Sequence, residues 1–189
     1  MTDKPELVEQ ACHRAAELGF EFSSEPGVGA LLAVLAAAAP EGARIAELGT
    51  GAGVGLAWIV YGLGERDDVS VYTVDTNQVM LATVAAAGWP GYVQFVHDDG
   101  AHAVQEFAPL DLVFADAPGG KIEGLDLTIA ALGAGGVLIV DDMDPSLHID
   151  DGLLEPLASV RERLLGDPAL VVAELHSASG VIVATKRPV

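Results

Sequence analysis

Most of this chain alternates between two residue patterns, and that alternation constrains its fold more than any other feature. From Arg44 onward, short apolar runs rich in β-branched residues are separated by alanine- and leucine-rich stretches of helical length. Such alternation is typical of repeated βα units, whose helices cross over between parallel strands and cover both faces of the sheet. It predicts five parallel strands at 44–48, 69–74, 92–97, 110–115 and 136–140, with helices between them at 54–63, 77–87, 101–107 and 122–132.

The two ends of the chain depart from this alternation. After the fifth strand, a helix is predicted at 153–165, followed by strand-like runs at 170–176 and 180–186. Only three residues separate those runs, too few for a helical crossover, so they should form an antiparallel hairpin. Before Arg44, two helices are predicted at 5–18 and 26–39, and we expect them to cap the functional face. The predicted fold is a doubly wound α/β sheet of seven strands, mostly parallel, with an antiparallel C-terminal hairpin strand.

Length, charge and cysteine content narrow the class of protein. The 189 residues suit one domain, with a helical N-terminal extension at 1–42 and a core at 43–189. The formal net charge of -19 would repel nucleic acids and anionic membranes. The single cysteine, Cys12, rules out an intrachain disulfide and a thiolate metal site. Because we find neither a bilayer-length apolar run nor a signal-peptide pattern, a cytoplasmic location is expected.

A glycine-rich segment follows the first predicted strand, with glycines at Gly49, Gly51 and Gly53 where the strand gives way to a helix. Small residues there let the backbone approach a ligand closely, and the helix N-terminus favours an anionic group, which indicates a nucleotide-type ligand. A dinucleotide fingerprint would need a glycine where this chain has Val54 or Leu56, which disfavours a nicotinamide cofactor. The phosphate-binding loop of nucleotide hydrolases would need a lysine, and none lies between Arg44 and Lys121, so nucleotide hydrolysis is excluded.

An acid is predicted at the carboxyl end of the second strand. Asp75 closes the run Val71-Tyr72-Thr73-Val74-Asp75. At that position a carboxylate can accept hydrogen bonds from both ribose hydroxyls of a nucleoside. Together with the glycine segment, Asp75 therefore favours a ligand that contains adenosine.

These residues resemble a known family. The segment Glu47-Leu48-Gly49-Thr50-Gly51-Ala52-Gly53 looks like motif I of class I S-adenosylmethionine-dependent methyltransferases, which have a Rossmann-like fold. Three further segments, at 25–32, 110–117 and 135–142, are similar in order to segments of the small-molecule O-methyltransferases related to catechol and caffeoyl-CoA methyltransferases. The likeness spans about residues 25–186.

The resemblance implies a cofactor, a metal ion and a type of substrate. The acid Asp99, with Asp98 beside it, matches a position that holds the adenine amino group in the superfamily. The relatives bind a divalent cation such as Mg²⁺, which implies Asp116, Asp141 and Asp142 as ligands, and such an ion orients two vicinal oxygens of a hydroxylated small molecule. Relatives are often dimers, so a homodimer is expected. The implied residues for S-adenosylmethionine are Glu47, Gly49, Thr50, Gly51, Gly53, Asp75, Thr76, Asp98, Asp99, Gly100 and Asp116.

Several positions depart from the family pattern. Where relatives carry a lysine base after the first metal ligand, this chain has Pro118 and Gly119, and Lys121 could replace that base only if its loop folds back. Asp142 stands in place of an asparagine. The tyrosine and serine usual after motif I are Val54 and Gly55. The implied catalytic residues are therefore Asp116 and Lys121, with His148 as another candidate base.

Other interpretations remain open at this point. Carboxylates at strand ends commonly cap helices and turns, so Asp116, Asp141 and Asp142 can equally be structural. The missing lysine and asparagine also fit a protein that binds S-adenosylmethionine or S-adenosylhomocysteine without transferring a methyl group. A nicotinamide-dependent oxidoreductase of the same fold is the third hypothesis.

Overall fold

The computed structural model describes residues 5–188, which form a seven-stranded sheet of order β3-β2-β1-β4-β5-β7-β6. Strands β1 to β5 pair in parallel, whereas β7 is antiparallel to both β5 and β6. This confirms the predicted mostly parallel sheet with an antiparallel C-terminal hairpin. The strands are β1 (Arg44–Leu48), β2 (Ser70–Asp75), β3 (Val93–His97), β4 (Leu110–Ala115), β5 (Leu132–Val140), β6 (Leu170–Leu175) and β7 (Val181–Lys186).

Helices cover both faces of the sheet because successive strand residues point to opposite sides. On β4, Phe114 packs with the helices of the N-terminal half of the chain, and its neighbour Val113 packs with those of the C-terminal half. Within residues 5–188, no helix combines the length and apolar character that a bilayer span requires. The helices are α1 (Glu6–Leu18), α2 (Pro26–Ala37), α3 (Val54–Leu63), α4 (Gln78–Ala85), α5 (Gly100–Glu106), the short α6 (Pro118–Lys121), α7 (Leu125–Ala131) and α8 (Leu154–Leu165), with a 3-10 helix at Pro145–Leu147.

The parallel register places the residues after β1, β4 and β5 at one edge of the sheet. Leu48 is paired with both Val74 and Ala115, and Ala115 with Val140. The next residues along the chain therefore meet at the carboxyl edge of the sheet. This edge receives the glycine loop, Asp75, Asp116 and Asp141.

The segment between β4 and β5 differs from its prediction. The helix expected at 122–132 begins only at Leu125, as α7, because Gly124 before it is left-handed. The short α6, which was not predicted, precedes it and contains non-helical backbone angles at Gly119 and Gly120. Strand β5 begins at Leu132 rather than 136, because Leu132 pairs with Leu110 before a register shift. A glycine-rich stretch carries little periodicity, so local pattern could not locate these boundaries.

The N-terminal helices lie against the helix that follows the glycine loop. Buried residues of α1 and α2, including Val8 and Leu32, share one apolar cluster with Ile59 of α3. The segment between α1 and α2 thereby reaches the carboxyl edge of the sheet. The division of the chain into an extension at 1–42 and a core at 43–189 stays a prediction.

Candidate functional site

A cavity of about 630 Å³ opens at the carboxyl edge of the sheet. Its walls are the glycine loop, the residues after β2, β4 and β5, and the segment at 20–25 between α1 and α2. Its volume lies within the range of small-molecule sites. The cavity brings together eight of the predicted site residues: Glu47, Gly49, Thr50, Gly51, Asp75, Asp116, Asp141 and Asp142.

The glycine loop is held against β2 by backbone hydrogen bonds. The N–H groups of Gly49 and Thr50 both donate to the carbonyl of Val74, at 2.9 and 3.1 Å. The φ angle of Gly49 is 109°, a value that residues with a side chain rarely adopt, and an added Cβ would lie 3.0 Å from the Cβ of Ala117. The loop thus needs glycine to pass between the strand ends and face the cavity with bare backbone.

Asp75 links the glycine loop to the loop after β2. Its Oδ2 accepts the N–H of Gly51 at 2.9 Å, and its Oδ1 accepts the N–H of Asn77 at 2.8 Å. These bonds satisfy the structural role expected of an acid at a strand end. Each oxygen of the Asp75 carboxylate can accept another hydrogen bond, so this carboxylate can bind two vicinal hydroxyls.

Glu47 is a buried acid in the cavity wall. Its side chain accepts a hydrogen bond from Thr73 Oγ1, whose oxygen in turn lies 2.6 Å from Thr50 Oγ1. Burial, assisted by the charges of Asp116 and Asp75, raises the pKa of Glu47 to about 8. Gly55 leaves room for this carboxylate, since an added Cβ would collide with Glu47 Oε1. The pattern did not single out Thr73, because a threonine inside a strand is ordinary.

Three carboxylates converge on the other side of the cavity. Asp116, Asp141 and Asp142 each offer one carboxylate oxygen, and these oxygens all lie within 4.8 Å of one another. Burial raises the pKa of both Asp116 and Asp141, and the neighbouring acids of the cluster raise it further. Ser179, from the turn between β6 and β7, donates to Asp141 Oδ1. An all-oxygen donor set with excess negative charge fits a hard divalent cation such as Mg²⁺.

Lys121 reaches this cluster because its loop folds back. Gly120 has φ 89°, and its N–H donates to the carbonyl of Glu123, which closes a tight turn. The side chain of Lys121 is buried, with Nζ 3.2 Å from both Asp142 Oδ2 and the carbonyl of Asp141. The ammonium offsets the charge of Asp142 without lining the cavity.

The remaining predicted residues lie outside the cavity lining. Asp99 caps α5 by accepting the N–H of Ala101 at 2.9 Å, and Asp98 lies 2.6 Å from Nδ1 of His102. The hydrogen bond with His102 lowers the pKa of Asp98. Gly53, Thr76 and Gly100 are also absent from the cavity lining. For these five residues a contact with the ligand stays a prediction.

Two serines of the segment at 20–25 were not predicted as site residues. Ser23 and Ser24 both line the cavity, and the buried Oγ of Ser23 has no hydrogen-bond partner among the described residues. An added Cβ on Gly55 would lie 3.2 Å from Ser24 Oγ. The sequence signal that bears on these serines is Gly55, which stands where the family usually has a serine.

Comparisons with known proteins agree on one class. A family model described as a methyltransferase domain matches residues 46–143. A protein of Mycobacterium sp. (strain KMS) with a provisional O-methyltransferase name is 32% identical in an alignment 145 positions long that covers 71% of this chain. The chain spans 63% of the length of that relative.

Solved structures match over almost the whole chain. The O-methyltransferase from Bacillus cereus in complex with SAH has a TM-score of 0.82 and 18% identity, covering 99% of this chain and 93% of that one. The O-methyltransferase TomG from Streptomyces achromogenes, involved in tomaymycin synthesis and in complex with SAM, has a TM-score of 0.78 and 20% identity, covering 98% and 91%. At these identities the likeness supports the fold.

Proposed function

The chain belongs to the methyltransferase domain family, and from that premise we propose that it is an S-adenosylmethionine-dependent O-methyltransferase acting on a small hydroxylated molecule. The observation that carries the proposal is the shared cavity: bare glycine backbone and Asp75 line one part, and three carboxylates line another. Such a site can bind a nucleoside cofactor beside an oxygen-rich acceptor. A site for the cofactor alone would not need the second group.

Different residues of the cavity are proposed to bind different parts of the cofactor. Asp75 is proposed to hold the ribose hydroxyls with its free acceptor capacity. Glu47 and Asp116 are proposed to attract the ammonium and sulfonium groups of the cofactor, since opposite charges attract strongly in a partly desolvated site. Ser23 and Ser24, which both line the cavity, are proposed to supply hydroxyl donors for the carboxylate end of the cofactor.

The acceptor is proposed to bind between the carboxylates and an apolar rim. Asp116, Asp141 and Asp142 would hold the divalent cation, which when bound orients the acceptor oxygens and lowers the pKa of the reacting hydroxyl. Phe22 and Leu147, both exposed at the cavity, offer apolar surface to the body of the acceptor. This arrangement favours a small molecule that has vicinal oxygens on an apolar or aromatic body.

Methyl transfer joins the acceptor oxygen to the methyl carbon while the carbon–sulfur bond breaks, and the bonding pair stays on sulfur. The acceptor hydroxyl loses its proton in the process. We propose Asp116 and Lys121 as the catalytic residues, with Asp116 facing the sulfonium and Lys121 as the base that takes up the proton. The protein's remaining task is to hold oxygen and methyl in line and exclude water.

We also propose a cytoplasmic location. The protein is not expected to act on nucleic acids, because the net charge of -19 repels a phosphate backbone. A homodimer is proposed from the family resemblance.

The test is calorimetric titration of the EDTA-stripped protein with S-adenosylmethionine, repeated with Mg²⁺ and a catechol. We expect binding that the ternary mixture strengthens, together with methylated product. Asp75→Asn should weaken cofactor binding, whereas Asp67→Asn, at an exposed aspartate outside the cavity, serves as a matched control. Absence of cofactor binding would overturn the proposal, and binding without methylation on a phenol panel would favour a cofactor-binding protein. Binding of NADH instead would favour the oxidoreductase.

A further inference from the structure

Asp142 has an unusual backbone conformation for an acid in a metal-type cluster. Its φ is 58°, in the left-handed region, and among non-glycine residues 5–188 only Ala178 shares this property. A left-handed conformation is unfavourable for a non-glycine residue, so neighbouring contacts must hold Asp142 there. Because φ and ψ decide where Cβ points, this conformation also directs the carboxylate of Asp142 toward Asp116 and Asp141.

His148 is placed to hold that backbone. The residue is 9% exposed, and the Nε2 of its imidazole lies 3.0 Å from the carbonyl oxygen of Asp142. A carbonyl oxygen can only accept, so Nε2 donates in this bond. The nitrogen was a candidate base in the sequence, but here it is engaged with the backbone of a cluster residue.

Asp151 fixes the orientation of the ring. Its Oδ2 lies 2.7 Å from Nδ1 of His148, and its Oδ1 accepts the N–H of Leu153 at 2.9 Å. Leu153 directly precedes α8. A continuous path of hydrogen bonds thus runs from the start of α8 through Asp151 and His148 to Asp142.

The two sides of Asp142 are therefore held independently. Lys121 pairs with its carboxylate at 3.2 Å, and His148 bonds to its carbonyl. A lost contact with Lys121 would free the carboxylate but leave the backbone in place. A lost contact with His148 would let the peptide leave the left-handed region and turn the carboxylate away from its neighbours.

We propose that His148, oriented by Asp151, is a positioning residue that holds Asp142 in the conformation needed for cation binding. This inference rests on the proposed function, since it assumes that the three carboxylates bind a divalent cation. It concerns a histidine outside every segment that carried the family resemblance. Outer partners of metal ligands typically contribute about 10- to 100-fold in metal affinity.

The experiment measures Mn²⁺ affinity of the EDTA-stripped full chain by electron paramagnetic resonance of the free ion. We expect His148→Phe, which removes both hydrogen bonds, to weaken Mn²⁺ binding at least about tenfold. His148→Gln should recover most of the affinity because its amide can donate to the same carbonyl. Asp151→Ala should weaken binding less than His148→Phe. His176→Phe, at an exposed histidine outside the cavity, is the matched control.

The outcomes separate the two proposals. Unchanged Mn²⁺ affinity in folded His148→Phe would overturn the positioning role and leave the metal site intact. If His148→Phe does not fold, Asp151→Ala and His148→Gln decide, and parental affinity in Asp151→Ala together with loss in His148→Gln would contradict the proposal. Absence of Mn²⁺ binding by the parent chain would overturn both the metal site and this inference, while S-adenosylmethionine binding by the same sample would still support the cofactor site.

Discussion

Glu47 carries an acid into the cavity wall at 1% exposure, where only a few polar groups compensate its burial. Thr73 donates to it, and the backbone of Leu56 provides a further hydrogen bond. These bonds lower the pKa of the acid, but burial raises it by more, so the net value is about 8. In the absence of a bound cation, Glu47 therefore favours its protonated form near neutral pH.

This raised pKa predicts how stability depends on pH. Between the ordinary pKa of 4.5 and the folded pKa of about 8, the folded protein binds more protons at Glu47 than the unfolded chain does. The contribution of Glu47 to the free energy of unfolding is thus full below the ordinary pKa and is lost as pH rises through the folded pKa. We expect the ligand-free protein to be less stable in urea at about pH 8.5 than at about pH 5.5. Glu47→Gln should reduce that loss by on the order of 1–3 kcal/mol.

Asp116 and Asp141 also have raised pKa values, and these affect stability in the same direction as that of Glu47. The free energy of unfolding of Glu47→Gln should therefore still fall with rising pH, but less steeply than that of the parent. Parallel pH profiles for the parent and Glu47→Gln would contradict the prediction.

Replacing Ser23 should affect protein stability and ligand affinity in different ways. Its buried hydroxyl lacks a partner among the described residues, and such a group costs roughly 1–3 kcal/mol when unsatisfied. Ser23→Ala should therefore leave the free energy of unfolding equal or higher, while S-adenosylmethionine affinity falls about 3- to 10-fold, as expected for one lost hydrogen bond. Calorimetry and urea unfolding measure the two effects. Ser177→Ala, at an exposed turn, is the control, and parental affinity in Ser23→Ala would contradict the assigned role.

The packing of α2 on α3 holds the helix that follows the glycine loop. Glycines make this close approach possible: Gly29 lies against the indole of Trp58, and Gly62 lies against the backbone of Ala33. Because α3 begins at the glycine loop, its seating on α2 fixes the direction in which the helix N-terminus faces the cavity. Helix packing and the binding loop are therefore coupled.

A substitution at this crossing should be costly. An added Cβ on Gly62 would lie 2.7 Å from Cα of Ala33, and backbone cannot move aside as a side chain can. Although alanine is a better helix former than glycine, overpacking should dominate, and Gly62→Ala should lower the free energy of unfolding by about 1–3 kcal/mol. Gly27→Ala is the matched control within α2, since its Cβ would meet Ala178 only at 3.9 Å. Equal urea midpoints for the two variants would show that the crossing can relax.

The whole molecule carries a strong excess of negative charge. Nine basic against 28 acidic residues leave a net charge of -19, and the cavity adds a concentrated group of acids. Repulsion among these charges disfavours the compact state, and the negative field around the protein attracts cations. The charge of the protein thus suits a cationic cofactor and a metal ion.

Screening should relieve that repulsion. We expect the free energy of unfolding to rise when NaCl increases from about 20 mM to about 300 mM, because the Debye length shortens from roughly 20 Å to below 10 Å. Urea, which is uncharged, is the suitable denaturant. Glu47→Gln, a buried acid, should show the same salt dependence as the parent. A fall in stability with salt would mean that attractive ion pairs outweigh the net repulsion.

Local pattern determined much of this fold. Apolar runs of strand length and the parallel βα alternation predicted all seven strands to within a few residues, and β1 and β4 agree at both ends. Asp75 was predicted from its place at a strand end, whereas Asp116 and Asp141 were implied as site residues by the family resemblance. Parallel register is the physical reason that all three strand ends meet at one edge.

Tertiary structure alone decided the environment of those groups. The burial of Glu47, the return of Lys121 to Asp142, the Ser179 bond to Asp141 and the His148 bond to Asp142 each join segments that no local pattern connects. Burial and partner choice depend on long-range packing, whereas periodicity reports only which face of an element is apolar. For that reason the sequence alone determined which residues reach the carboxyl edge, and only packing decided their charge, their orientation and their partners.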